Sequence, residues 1–313
     1  MSWKTIIINK YDKLSLKNNL LKIENTKQES DKSLTFSLSD INCVILENNY
    51  TLISTQLISK LLDNNVFLVV CNDSYEPNGI MLSYHNHWKP LAIIEKQISI
   101  NSEYKKIIWK QIIEKKIENS LNVMVMIGCS DRSIEMVSNF QKTVKLNDTT
   151  NREGLAAKVF FRELYGSNFI RFSDDIINKT LNYGYTILAS AISRTLVKYG
   201  LLCFLGIFHI GKTNNWNLSY DLLEPFRPLV DLWVIKNLDG LEGENISYNK
   251  RLELINLLNQ FVSVDGKFQT ITNAIDIMVR SYVTVLKTTS SLKLKLPTII
   301  YYEEKVDDIY EYE

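Results

Sequence analysis

A histidine and three carboxylates are the residues most able to do chemistry here, and their spacing is uneven. His209 lies in Leu205-Gly206-Ile207-Phe208-His209-Ile210-Gly211-Lys212, where an apolar run ends in a glycine-bounded turn. Twelve and fifteen residues further on come Asp221 and Glu224, within Leu218-Ser219-Tyr220-Asp221-Leu222-Leu223-Glu224-Pro225-Phe226-Arg227-Pro228. Positions i and i+3 of a helix share one face, but Pro225 and Pro228 require that helix to start, kink or stop here. Well upstream, Glu153 opens a helix in Asn151-Arg152-Glu153-Gly154-Leu155-Ala156-Ala157-Lys158. The small neighbours Gly154, Ala156 and Ala157 leave room for a bulky group, such as a phosphate with its cation, to approach the backbone. Each segment also has a plainer reading. Asp221-x-x-Glu224 can be a capping box, His209 a hydrogen-bonded core histidine, and Glu153 an acidic first-turn residue favoured by the helix dipole. On spacing alone the plainer readings carry more weight.

Two further histidines, His85 and His87, sit in Ser83-Tyr84-His85-Asn86-His87-Trp88. An extended H-x-H pair points both rings to one face and can bind a metal. With no cysteine or carboxylate cluster nearby, a polar loop offering Tyr84 and Trp88 for stacking is the better account.

The elements that must position these groups change in texture along the chain. Thr5–Asn9 is an apolar run, and Leu14–Leu16 and Leu20–Ile23 flank Lys17-Asn18-Asn19, a hairpin turn. Ser33–Leu38 alternates polar and apolar, as a half-buried strand does, while Cys43–Leu46 and Val66–Val70 read as fully buried strands. One helix is expected over 51–62. Turn chemistry fills 72–90, and beyond it helical spacing runs over 92–121, 131–146, 154–165, 175–199, 249–262 and 270–287 with almost no strand pattern. The expectation is an α+β chain: a small β-rich N-terminal domain over 1–72, a linker over 73–90, a larger, mostly α-helical catalytic domain over 91–302, and an acidic tail over 303–313.

Composition narrows the function classes. The 313 residues are 45% hydrophobic and 23% charged with only 11 Gly and 5 Pro, which excludes a disordered chain and a collagen-like repeat. The cysteines Cys43, Cys71, Cys129 and Cys203 form no CxxC pair, so neither a zinc knuckle nor a redox motif is written here and free thiols in a reducing cytosol are expected. No run of 18 apolar residues and no secretory leader appear, which points to a cytoplasmic protein away from membranes. Net charge is +1, yet the tail from Glu303 to Glu313 holds six carboxylates against Lys305 alone. The remaining body is therefore +6, a balance that permits nucleic-acid binding without demanding it.

Taken together, Arg152-Glu153-Gly154-x-Ala156-Ala157, Gly206-Ile207-Phe208-His209 and Asp221-Leu222-Leu223-Glu224-Pro225-Phe226-Arg227-Pro228 resemble the motifs of the CRISPR-associated protein 1 family, the integrase and endonuclease subunit of CRISPR adaptation. Asn182-Tyr183-Gly184-Tyr185 and the β-then-α order extend the likeness over most of residues 1–287, and length and wording look most like members from type II systems. The resemblance implies that Glu153, His209 and Glu224 are catalytic and bind Mg2+ or Mn2+, with Asp221 as a supporting ligand. Two carboxylates and an imidazole suit either ion, leaving positions open for water and a phosphate oxygen. The resemblance further implies double-stranded and branched DNA substrates (prespacer fragments and the CRISPR repeat), a homodimer paired through the β-rich domain, and a heterohexamer with CRISPR-associated protein 2. Type II adaptation and effector proteins are further candidate partners. Lys158, Arg162, Lys212 and Arg227 are candidate phosphate contacts, each equally readable as a solvated charge. Two rival functions share the same residues: a metal-dependent nuclease acting on branched DNA in repair, and a non-catalytic DNA-binding scaffold.

Overall fold

The computed structural model describes residues 4–10, 12–25, 33–73, 75, 77–81, 83, 90–288 and 293–300. His85, His87 and the acidic tail over 303–313 lie outside the described residues.

The N-terminal part is built from β1 (Lys4–Ile8), β2 (Asp12–Lys17), β3 (Leu20–Asn25), β4 (Ser33–Ser37), β5 (Ile41–Leu46), β6 (Leu52–Ile53), α1 (Thr55–Asp63), β7 (Phe67–Cys71) and β8 (Pro77–Met81). The strands form two four-stranded sheets, ordered β1-β5-β7-β8 and β4-β3-β2-β6. The expected hairpin joins β2 to β3, with Asn18 and Asn19 both at positive φ (51° and 64°), as a tight turn matching the strand twist requires. In the first sheet β1, β5 and β7 run parallel, which is why their sequences are continuous apolar runs. Ile6, Ile8, Val44, Leu46 and Leu68 point into one core with Leu57 and Leu61 of α1, while Cys43, Ile45, Phe67, Val69 and Cys71 belong to the core of the helical part. Two local expectations need correction. The helix expected over 51–62 begins at Thr55, because Ser54 caps it by accepting from the Leu57 N–H at 3.3 Å and Leu52–Ile53 pairs with β2 instead. Strand β8 lies inside the stretch 73–90 expected as linker, its Pro77 tolerated because this is an edge strand.

The helical part comprises α2 (Pro90–Ile98), α3 (Ser102–Met126), α4 (Asp131–Lys142), α5 (Arg152–Tyr165), α6 (Ile176–Lys198), α7 (Asn217–Leu223), α8 (Arg227–Lys236), α9 (Tyr248–Asn256), the hairpin β9 (Phe261–Val264) and β10 (Lys267–Thr270), and α10 (Ile271–Thr288). A β-rich N-terminal part followed by a larger helical part is the α+β arrangement that the sequence predicts. The periodic run expected as one helix over 92–121 is broken where Asn101 caps α3 by accepting from the Glu103 N–H at 2.8 Å. The β9–β10 hairpin occupies the gap between the runs expected as helical, 249–262 and 270–287, and overlaps them only at its ends. Asp265 and Gly266 take positive φ (50° and 74°) and turn the chain, while Val262 and Val264 alternate into the core. Helix α3 is the central strut, burying Ile108, Ile112, Ile113, Ile117, Val123 and Met124 between α4, α5, α7 and α8.

The two parts are also tied by charge. Glu47, at the end of β5, is buried and receives both Nε and Nη2 of Arg251 on α9 at 3.3 Å, with the Tyr183 hydroxyl of α6 at 3.4 Å. A buried pair of this kind is costly to break from one side, on the order of 3–5 kcal/mol.

Candidate active site

Glu153 is placed by the start of α5. Asp148 accepts the N–H groups of Arg152 (2.7 Å) and Glu153 (3.0 Å), Asn151 accepts that of Gly154, and the helix therefore starts with its donors satisfied. The Glu153 side chain turns toward α3, where the Lys116 ammonium donates to its Oε1.

Glu224 arrives from the other side. Helix α7 ends at Leu223, and Glu224–Phe226 forms a single 3-10 turn before α8 begins, so Pro225 and Pro228 mark the break that the sequence predicts. Asn119, one turn beyond Lys116 on α3 and wholly buried, fixes this turn by donating to the Pro225 carbonyl at 2.7 Å. Glu224 is 6% exposed; its Oε2 accepts from Lys116 at 2.5 Å and its Oε1 from Arg227 Nε at 2.8 Å. Burial alone would raise its pKa, but Arg227 and Lys116 outweigh it and hold the carboxyl down at about 2. Glu153 and Glu224 thus converge on one ammonium, although 71 residues separate them.

His209 and Asp221 form a second pair. Asp221 is wholly buried within α7 and accepts four hydrogen bonds: from the N–H groups of Ile207 (2.6 Å), Phe208 (3.0 Å) and His209 (3.2 Å), and from His209 Nδ1 (2.6 Å). It therefore does not cap a helix; it binds the backbone of the histidine loop and the ring together. The expectation of Asp221 as a supporting ligand meets this arrangement directly, since both of its oxygens are already engaged. With Nδ1 donating to a carboxylate, Nε2 is the nitrogen that His209 can offer to a ligand. The Asp221 hydrogen bond outweighs burial and raises the imidazole pKa above 6.5, and Glu224 and Arg227 lie near enough to act on its charge. Gly206 is required at the loop's base: a Cβ there would come within 2.2 Å of the His209 carbonyl and 2.9 Å of Asp221 Oδ2. Phe208 stacks on Trp109 of α3, ring centroids 4.3 Å apart and planes within 1°.

The carboxylate pair lines a cavity of about 640 Å3. Lys158 and Arg162 line it and are exposed, as candidate phosphate contacts must be. Arg227 also lines it, but its guanidinium is committed to Glu224 and lies over the Tyr185 ring at 4.6 Å. Lys212 is exposed on the histidine loop and does not line the cavity. Part of the lining is aromatic. Phe161, Phe169 and Phe172 belong to it, and Phe172 stands 84% exposed at φ 82°, held there by the buried Asn178, which accepts its N–H at 3.0 Å.

Several contributors were not among the sequence candidates. Lys116 and Asn119 sit on a helix rich in lysine, with no local pattern to single them out. Asp231 is buried on the cavity wall and accepts from the Tyr185 hydroxyl at 2.5 Å; burial raises its pKa to about 7. Asn182-Tyr183-Gly184-Tyr185 did carry a signal. Asn182 accepts from Arg171 at 2.6 Å, Tyr183 reaches Glu47, Tyr185 holds Asp231, and a Cβ at Gly184 would meet Val230 of α8 at 2.5 Å.

A divalent cation fits this donor set on one observation: Glu153 and Glu224 already enclose a positive charge, that of Lys116, beside an open cavity. Glu153, Glu224 and Nε2 of His209 are the atoms that could hold such an ion. Among the described residues no three His, Cys, Asp or Glu side chains are gathered closely enough to hold one without movement, so His209 is not at ligand distance with the carboxylates.

The chain matches known proteins along its length. Residues 6–260 match the family described as CRISPR associated protein Cas1. A CRISPR-associated endonuclease Cas1 from Neisseria meningitidis serogroup C (strain 8013) is 34% identical over 314 residues, covering 100% of both chains. Two solved structures share the fold. One is a casposase bound to integration product, with TM-score 0.78, 23% identity, and coverage of 98% of this chain and 96% of that one. The other is a chain of a Cas6-RT-Cas1–Cas2 complex, with TM-score 0.70, 16% identity, and coverage of 92% of this chain and 35% of that one. By its family match and by its full-length identity to the Neisseria protein, the chain belongs to the Cas1 family of CRISPR-associated proteins.

Proposed function

We propose that this protein is the DNA endonuclease and integrase of CRISPR adaptation, with Glu153, Glu224 and His209 as its catalytic, cation-holding residues. One observation carries the assignment of the site: two carboxylates from separate elements meet on a single positive charge in the lining of a cavity that also carries cationic and aromatic side chains. The Neisseria relative is named an endonuclease, and the casposase that shares the fold is bound to an integration product; both support the reaction class.

In this reading the 3′-OH of a DNA fragment attacks a phosphodiester of the CRISPR repeat, and the displaced 3′-oxygen leaves with the electron pair of the broken P–O bond. Mg2+ or Mn2+, when bound, supplies activation of the attacking hydroxyl and neutralises charge on the phosphate and the leaving oxygen. Glu153 and Glu224 offer hard oxygen donors. Asp221 keeps the proton on Nδ1 of His209, so that Nε2 presents a lone pair. Lys158 and Arg162 bind backbone phosphates at the cavity wall, where Phe169 and Phe172 give unpaired bases a surface to stack on. Lys212 extends the phosphate track along the histidine loop. No side chain has to form a covalent intermediate.

The assembly follows the family. The chain pairs as a homodimer through its β-rich N-terminal residues 1–72, and two dimers are bridged by the small partner Cas2 in a heterohexamer. The Cas6-RT-Cas1–Cas2 complex holds a chain of this fold, which supports the Cas2 partner. The adaptation and effector proteins of a type II locus are further partners in this reading, which the full-length likeness to the Neisseria protein supports. Among the described residues no helix is long and apolar enough to cross a membrane, and a cytoplasmic location agrees with a DNA substrate.

The test is half-site integration of a labelled DNA fragment into a plasmid carrying the repeat, with Cas2 and Mg2+ or Mn2+ present. Joining should require Glu153, His209 and Glu224. Retention of wild-type joining by Glu153→Gln or His209→Ala would remove the assignment. Metal-dependent cutting that ignores the repeat would favour a repair nuclease, and DNA binding without chemistry a scaffold.

A further inference from the structure

Among the described residues, Lys116 is the one side chain that hydrogen-bonds both candidate catalytic carboxylates. Its ammonium donates to Glu153 Oε1 and to Glu224 Oε2, and its side chain is only 15% exposed. Arg227 takes the remaining oxygen of Glu224, so two carboxylates are balanced by two cations in a largely buried cluster. That balance is a poor starting point for binding a divalent ion. Added to the cluster as it stands, the ion would leave an excess of two positive charges where water screens them weakly. It would also need the carboxylate oxygens that the ammonium already uses. Ion and ammonium are therefore alternatives.

We infer that Lys116 is a resident counter-cation, holding the carboxylates together in the DNA-free protein and yielding its place to the divalent ion when a DNA phosphate enters the cavity. The inference rests on the proposed site and says how that site is regulated. Lys116 itself lines the cavity, beside Lys158 and Arg162, so a phosphate drawn in by those cations gives the ammonium a new acceptor without leaving the pocket. Ion binding and DNA binding are then coupled through one side chain, and by linkage each strengthens the other. Cation-dependent cutting is held back until substrate is present. Lys116 is a positioning residue in the free protein and a phosphate contact in the complex.

Mn2+ affinity of the full chain, measured by calorimetry with MnCl2 alone and again with a duplex bearing frayed single-stranded ends, tests this. Without DNA, Lys116→Met should bind Mn2+ about tenfold tighter than wild type, or more, and Mn2+ should raise its melting temperature further than that of wild type, because the ion replaces the missing ammonium. The DNA should tighten Mn2+ binding by wild type by a clearly larger factor than binding by Lys116→Met. Should Lys116→Met fail to fold for want of a donor between the carboxylates, Lys116→Gln restores a donor and carries the same expectation. Equal or weaker Mn2+ binding by the folded variant overturns the inference, as does DNA tightening both proteins alike. Adding Glu224→Gln to Lys116→Met should abolish the gain; if the gain persists, the ion lies elsewhere and the inference fails. Integration by the Glu153 and Glu224 variants decides the functional reading separately, since Mn2+ exchange at Lys116 can stand even if no DNA is joined.

Discussion

Asp221 and Glu224 lie three residues apart, yet they do different work because one faces a loop and the other faces two cations. Asp221→Ala leaves three backbone N–H groups and an imidazole without an acceptor, so a loss on the order of 3 kcal/mol is expected in urea unfolding, together with lost activity. Glu224→Gln keeps the shape of its site and should abolish integration with a smaller change in stability. Equal destabilisation by the two would contradict this division. The imidazole gives a pH signature. Because the Asp221 hydrogen bond raises its pKa above 6.5, His209 is more than half protonated at pH 6.5, and only its neutral form can offer Nε2. The NMR titration midpoint of the ring in the metal-free chain is therefore expected above pH 6.5; a midpoint at or below 6.5 would contradict it. The same shift stabilises the fold fully below 6.5 and is lost as pH rises through the raised value. At this scale the sequence names Glu153, His209 and Glu224 through motif resemblance, but it conceals Lys116. Lys105, Lys106, Lys110, Lys115 and Lys116 share α3, and periodicity marks none of them as the one turned inward.

Elements decide whether these groups can meet. Helix α3 supplies Lys116 to the carboxylates, Asn119 to the turn that carries Glu224, and Trp109 to the ring of Phe208, so one helix sets the relative position of three segments. The histidine loop depends on a missing side chain. Gly206→Ala would drive a methyl group against the His209 carbonyl and Asp221, and the loop must open to relieve it. Integration should fall at least as far as in His209→Ala, while the melting temperature drops by several degrees; wild-type activity in Gly206→Ala would show the loop to be adaptable. Most helices and strands were legible because burial on one face leaves a period in the sequence. The exceptions have physical reasons. Strand β8 hides in turn-forming residues since an edge strand needs little apolar content. The β9–β10 hairpin hides because each of its strands is four residues long, too short to show a period until Asp265-Gly266 is weighted as a turn.

Across the whole molecule, the site asks for DNA of any sequence to be held by its backbone. A body charge of +6 and cavity cations at Lys158 and Arg162 predict donor binding that weakens steeply with added salt and hardly changes when the donor's internal sequence is scrambled. Salt-insensitive, sequence-selective donor binding by this chain alone would contradict that, whereas selectivity for the repeat is expected from the assembled complex and the bent target. The first sheet has a consequence for how the protein is made. Its strands are complete once Met81 has been synthesised, and α1 is by then available to cover one face. The other face, with Cys43, Ile45, Phe67, Val69 and Cys71, waits for helices such as α6, whose Arg194 lies over Phe67 at 5.5 Å. Since α6 begins at Ile176, about a hundred residues later, a translating ribosome leaves that face bare for roughly 5–20 s. The nascent chain is thus expected to engage ribosome-associated chaperones over that interval, and slow codons between β8 and α6 would prolong its exposure.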